Sequence, residues 1–137
     1  MKERENGNFR SDTEVYMDGM EVFNFAIRVV PKGVKAIVKE VGAGIDDTDY
    51  IVFHQSNRFM TDFFTKKLKI PESKVPYCIG RFGNTSSASV PLTIVSELQD
   101  RLAGKKNVVM CGFGAGLSWG TAWVSFNGCN ISPLVEY

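Results

Sequence analysis

From Asp18 onward the hydrophobic residues alternate between helical and strand-like spacing, and that alternation directs the chain toward an α/β architecture. Val22, Phe23, Phe25, Ala26, Val29 and Val30 repeat with helical period behind Asp18, a candidate N-cap with Glu21 three residues later. Pro31 removes a backbone donor and clashes with the preceding turn, so a break or kink is expected there before Val34, Ile37, Val38 and Val41 resume the pattern. Gly42 and Gly44 close this stretch. Tyr50-Ile51-Val52-Phe53 is a short apolar run bounded on both sides, of strand type, and it ends at His54. Helical spacing returns over about 56–68, with Phe59, Met60, Phe63, Phe64 and Leu68 facing inward and Pro71 beyond the end.

Residues 75–79 read as another strand, 80–86 as a loop, and 87–102 as a helix with Gly104 past its end. Residues 108–111 form a buried strand, 112–116 a glycine turn, and 117–126, alternating and rich in Trp, Thr and Val, a further strand. The expected order is helix, strand, helix, strand, helix, strand, strand: an α/β mixed β-sheet with helices packed on it. Residues 1–14 read as a flexible lead-in to a single domain over 15–137, with Val15-Tyr16-Met17 as a short strand.

Composition narrows the function classes. Hydrophobic residues make up 44% and charged residues 23% of 137, which fits one globular domain with a core. A net charge of +1 provides no global field for nucleic acid. Arg58, Lys66, Lys67, Lys69 and Lys74, opposed locally only by Asp62 and Glu72, form a basic cluster. Cys78, Cys111 and Cys129 are scattered and odd in number, against a disulfide framework. A single histidine and no C-x-x-C pair argue against a metal site. Residues 107–135 carry no charge, but glycines and polar residues interrupt them too often for a membrane span. The polar opening MKERENGNFRSD is no signal peptide. These features together point to a reduced, cytoplasmic protein with neither nucleic acid nor membrane as partner.

Three places could carry chemistry. His54 stands where an apolar strand gives way to the polar Gln55-Ser56-Asn57, and strand ends in α/β sheets often carry catalysis; a structural histidine near a strand end is the alternative. Asn84 follows Gly83 and precedes a run of small residues, Thr85-Ser86-Ser87-Ala88-Ser89; a turn plus a helix cap would explain it equally. Gly112-Phe113-Gly114-Ala115-Gly116 lacks the third glycine of a dinucleotide loop and is followed by a strand pattern, so it reads as a turn able to aim a backbone N–H. No cysteine has a neighbouring base or a helix start that would activate its thiol.

In combination, these segments resemble β-ketoacyl-acyl-carrier-protein synthase III. The likeness rests on Met17-Asp18-Gly19-Met20-Glu21-Val22-Phe23-Asn24-Phe25-Ala26, Asp49-Tyr50-Ile51-Val52-Phe53-His54-Gln55-Ser56-Asn57, Gly83-Asn84-Thr85-Ser86-Ser87-Ala88-Ser89-Val90-Pro91 and Gly112-Phe113-Gly114-Ala115-Gly116-Leu117-Ser118-Trp119-Gly120, in that order. It covers about 15–127 and includes the thirty positions from His54 to Asn84. The resemblance implies the C-terminal half of a thiolase fold, whose nucleophilic cysteine belongs to a first half preceding this sequence. This chain alone is then expected to be inactive.

The implied reaction joins an acyl group from an acyl-CoA to malonyl-acyl carrier protein with decarboxylation, initiating fatty-acid synthesis. It uses no cofactor beyond those substrates. The resemblance makes His54 and Asn84 the catalytic donors and places a second oxyanion site at the backbone of Phe113, Gly114 and Ala115, where the family usually has glycine in place of Ala115. Arg58, Lys66 and Lys67 become the carrier-docking set, although the family's arginine falls where this chain has Phe59. Acyl carrier protein, coenzyme A thioesters and a second copy of the chain are the implied partners, the copy meeting 83–91 and 108–111. A related polyketide or quinolone condensing enzyme, or a non-catalytic carrier-docking half, are the alternatives.

Overall fold

The computed structural model describes residues 2–3, 9–10, 13 and 16–135. Most of the expected 1–14 lead-in and Val15 lie outside these; Tyr16 and Met17 are not in a strand. A two-residue antiparallel ladder joins β1 (Lys2–Glu3) to β2 (Phe9–Arg10).

Asp18 starts α1 (Gly19–Glu40) as anticipated: its Oδ1 accepts from the N–H groups of Met20 at 2.9 Å and Glu21 at 3.0 Å, satisfying two of the orphan donors of a helix start. Contrary to expectation, α1 runs unbroken through Pro31. The proline removes one intrahelical bond, but the buried Phe25, Ala26, Val30, Val34 and Val38 lie on both sides of it, and their packing holds the two segments as one helix. Gly42, at φ 70°, closes it: Ala43 N–H reaches Val38 O and Gly42 N–H reaches Lys39 O, both at 3.0 Å, a Schellman arrangement that needs the left-handed residue.

Three strands make the main sheet, β3 (Tyr50–Phe53), β4 (Lys105–Gly114) and β5 (Ser118–Asn127), in that spatial order. β3 runs parallel to β4, with Tyr50 opposite Val108 and Phe53 opposite Cys111; β4 pairs antiparallel with β5. Helices α2 (Arg58–Leu68), α3 (Ile79–Phe82) and α4 (Ser89–Glu97) fill the crossover between β3 and β4. Side chains alternate across the sheet. Ile51, Phe53, Val109, Cys111 and Phe113 face α1 and α2, meeting Ala26, Val30, Val34, Met60 and Phe64. Val52 and Val108 face the other way, onto Ile94, Leu98 and Leu102. Covered on both sides, β3 is a continuous apolar run, as buried parallel strands are.

Several boundaries differ from the sequence expectation. Residues 75–79 form no strand: a 3-10 turn, Glu72–Lys74, leads to a segment whose Cys78 N–H is taken by Gln55 Oε1 at 3.1 Å, and α3 begins at Ile79. The helix expected over 87–102 ends at Glu97, and a separate 3-10 turn covers Gln99–Arg101. Gly112 to Gly114 belong to β4, paired with Gly120 to Ser118, which shortens the turn to 115–117. Phe59 does not face inward: it is 68% exposed and stacks on Phe23 with ring centroids 5.8 Å apart. Val108, Val109 and Cys111 are fully buried within the chain, so those side chains are unavailable for the contact with a second copy expected of them. Among the described residues, no helix is long and apolar enough to cross a membrane.

Candidate active site

The β3–β4 ladder continues one residue beyond β3: His54 N–H donates to Cys111 O at 2.8 Å. This puts the histidine at the carboxyl ends of two parallel strands, where α/β sheets place ligands. The imidazole lies at the end of a chain of rings. Phe53 meets Phe64 at 5.3 Å, Phe64 meets Phe113 at 5.5 Å, and Phe113 meets His54 edge-on at 5.2 Å. Its Nδ1 is 2.6 Å from Ser89 Oγ. Burial pushes the His54 pKa below the ordinary histidine value, and a backbone hydrogen bond from the ring to Ser86 opposes it only in part. The imidazole is therefore neutral at neutral pH.

The polar residues after His54 are pinned in turn. Gln55 is fully buried, with Nε2 donating to Phe53 O at 2.9 Å and Oε1 accepting from Cys78 N–H. Asn57 caps α2 by accepting from Met60 N–H at 2.9 Å. Both ends of the His54–Asn57 segment are thus fixed to the scaffold.

Asn84 stands exposed after Gly83, whose φ of 70° turns the chain out of α3. Its Oδ1 accepts from Ser86 N–H at 3.0 Å, which leaves the amide NH₂ as the free, donating end. Ser86 bonds to Asn84 through its N–H and to the His54 ring through its own backbone, so one residue links the two candidates. Phe113 is brought onto His54 directly; Gly114 ends β4; Ala115 is exposed in the turn beyond, its carbonyl accepting from Ser118 Oγ at 3.2 Å.

The basic cluster divides. Lys66 and Lys67 are exposed in the last turn of α2. Arg58 pairs with Asp62 at 2.8 Å and lies over the Tyr77 ring. Lys74 donates to the carbonyls of Asp46 and Thr48, which makes it a clamp on that turn. A shallow cavity of about 170 Å³ beside α2 is lined by Arg58, Asp62, Glu72 and Tyr77 among others, but by neither His54 nor Asn84. The Cys111 thiol, buried, is pushed up to about 12. Among the described residues, no three His, Cys, Asp or Glu side chains gather to hold a metal ion. The sequence reading passed over Ser86 and Ser89 because each appeared only as part of a small-residue run; their partner, His54, is more than thirty positions away.

Comparison with known proteins identifies the family. The family described as 3-oxoacyl-[acyl-carrier-protein (ACP)] synthase III C terminal matches residues 38–126. The β-ketoacyl-[acyl-carrier-protein] synthase III of Streptococcus equi subsp. zooepidemicus is 37% identical over 108 residues, covering 77% of this chain and 33% of that protein. The 3-oxoacyl-(acyl-carrier protein) synthase structure from Burkholderia xenovorans superposes with a TM-score of 0.84 at 42% identity, over 89% of this chain and 35% of the other. The β-ketoacyl-[acyl carrier protein] synthase III structure from Thermus thermophilus gives 0.81 at 33% identity, over 92% and 39%. The chain spans about a third of the length of the curated relatives it matches. With its thiolase-like α/β fold, it belongs to the β-ketoacyl-acyl-carrier-protein synthase III family, matching that family's C-terminal part.

Proposed function

We propose that this chain supplies the decarboxylating side of a condensing site that joins an acyl group from an acyl-CoA to malonyl-acyl carrier protein. In the proposed sequence, a cysteine thiolate of the family's first half attacks the acyl thioester and coenzyme A leaves as its thiolate, which takes a proton from water. Malonyl-acyl carrier protein then enters. Its bond to the carboxylate carbon breaks, carbon dioxide departs, and the electron pair moves onto the thioester oxygen as an enolate. His54 and Asn84 donate N–H groups to that oxygen. The enolate carbon attacks the acyl carbonyl, and the cysteine thiolate leaves from the tetrahedral intermediate, whose oxyanion is received at the backbone of Phe113, Gly114 and Ala115, where β4 passes into its turn. Both thioesters supply their own chemistry, and no further cofactor or metal takes part.

The observation that carries this reading is the state of the two donors: an imidazole kept neutral by burial, and an asparagine whose oxygen is occupied so that only its NH₂ is free. A neutral donor favours developing negative charge without holding an ion pair in the ground state. Lys66 and Lys67 are the proposed contacts for the acidic carrier protein; Arg58, committed to Asp62 and Tyr77, has a smaller part. The proposed setting is cytoplasmic.

The test uses the complete protein, with the first half present. His54→Ala and Asn84→Ala should each lower malonyl decarboxylation by about 10²–10³, the usual cost of one oxyanion donor. Acyl transfer to the cysteine should persist. Condensation at the wild-type rate in either variant rejects the assignment.

A further inference from the structure

Ser89 is the first residue of α4 and is 1% exposed, yet its hydroxyl points away from its own helix toward β3. Its Oγ lies 2.6 Å from His54 Nδ1 and 3.3 Å from Gln55 N. The position is fixed from both sides. The Gln55 side chain is locked between Phe53 O and Cys78 N–H, and the Ser89 carbonyl accepts from Thr93 Oγ1 at 2.7 Å.

A hydroxyl has one proton to give and two lone pairs to receive. Gln55 N–H is a donor and fills one lone pair. At this depth solvent does not serve the hydroxyl proton, and Nδ1 is its acceptor at hydrogen-bond distance. Were Nδ1 protonated instead, two N–H groups would converge on Oγ and its own proton would need a third partner. The Ser86 carbonyl, which accepts from Ser89 N–H and keeps a second lone pair toward the ring, is the rival acceptor in that arrangement.

We infer that Ser89 is the positioning residue of His54: its hydroxyl donates to Nδ1, holds the ring in place and keeps the single imidazole proton on Nε2. Nε2 then carries the only N–H of the ring. The use of that donor rests on the condensing-enzyme reading, whereas the place of the proton does not. Burial that disfavours the charged imidazole agrees with a ring held in one neutral form. Ser86, bonded to the ring through its backbone, is the competing partner, and its pull makes the tautomer worth measuring.

His54 is the only histidine, so isotopically labelled protein gives one pair of ring-nitrogen resonances. Long-range proton–nitrogen NMR, recorded at a pH where the ring is neutral, should show the Nε2–H pattern for the 137-residue chain. Ser89→Ala should lower the preference for that tautomer about fivefold, as loss of one hydrogen bond does. Ser89→Thr, which restores the hydroxyl, should recover it. A residue that served packing alone would leave the tautomer unchanged in Ser89→Ala. That outcome, or a wild-type spectrum with the proton on Nδ1, overturns the inference. If Ser89→Ala does not fold, the near-isosteric Ser89→Cys, a weaker donor, takes its place: a mixed tautomer supports the inference and an unchanged one overturns it. Failure of the condensing reading would show instead in the decarboxylation rate of His54→Ala and leave these spectra as they are.

Discussion

A half-buried imidazole against Phe113 loses solvation when it takes up a proton, and the bond to Ser86 repays only part of that loss. The folded-state pKa of His54 therefore lies below the unfolded value of about 6.5. The sign of the stability effect follows. Between the two pKa values the unfolded chain binds more protons, so the contribution is complete above about pH 6.5 and is lost as pH falls through the folded value. An NMR titration of His54 should give a midpoint below that of a free histidine; a midpoint above it contradicts the burial argument. Cysteines are constrained at the same scale. Cys78 and Cys111 are buried, and burial pushes the Cys111 thiol up to about 12, which disfavours its thiolate near neutrality. Incubation of this chain with a labelled acyl thioester should leave Cys78, Cys111 and Cys129 unmodified, and stoichiometric acylation of any of them would move the nucleophile into this chain. His54 and Asn84 stand out as candidates in the sequence because each lies in a run of distinctive residues, thirty positions apart. Ser89 does not, because its meaning is a contact across thirty-five positions that no local pattern encodes.

Elements were legible where period and punctuation agreed. Tyr50–Phe53 matches its apolar run residue for residue, since a strand covered on both faces needs nothing but apolar side chains. Asp18 and Gly42 mark the ends of α1 through bonds that their own side chain or φ makes possible. Pro31 misled because local cost and tertiary gain compete, and the buried stripe on either side outweighs one missing bond. Residues 75–79 misled because strand-like composition does not supply a ladder partner, and here a buried glutamine side chain takes the Cys78 N–H. The seating of α1 on β5 turns on Gly33. A Cβ built there would lie 3.2 Å from Thr121 Cγ2 and 3.4 Å from Thr121 Oγ1, which itself donates to Gly33 O at 3.3 Å. Gly33→Ala should stay within about 1 kcal/mol of wild type, because the gain in helix propensity offsets a slight displacement of Thr121. Gly33→Leu should cost about 1–3 kcal/mol by prising the helix from the strand. Urea denaturation compares them; equal stability of the leucine variant would show that the contact is not tight.

At the scale of the whole molecule, the two apolar clusters on either face of the sheet account for the fold, yet several large apolar side chains remain outside them. Met20 and Phe59 are each 68% exposed, and Phe59 lies on Phe23, so the starts of α1 and α2 share an apolar ridge. Trp119 and Leu117 are also exposed, around the turn that carries Ala115. Among the described residues, β5 pairs on one side only, with β4. Exposed apolar patches and an open strand edge both favour association, and a symmetric pair of identical chains is the commonest assembly. Self-association of the 137-residue chain is therefore expected, through the Met20–Phe59 ridge, the Leu117–Trp119 turn and the free edge of β5, while the interior strand at 108–111 takes no part. Light scattering across a dilution series should show a mass above that of the monomer, falling on dilution. Phe59→Lys and Trp119→Lys each place a charge where an apolar contact would close, at the cost of a ring contact to Phe23 or Phe25 within the chain, and should shift the mass toward the monomer. Wild-type protein that stays monodisperse and monomeric at high concentration would show that these surfaces do not meet one another.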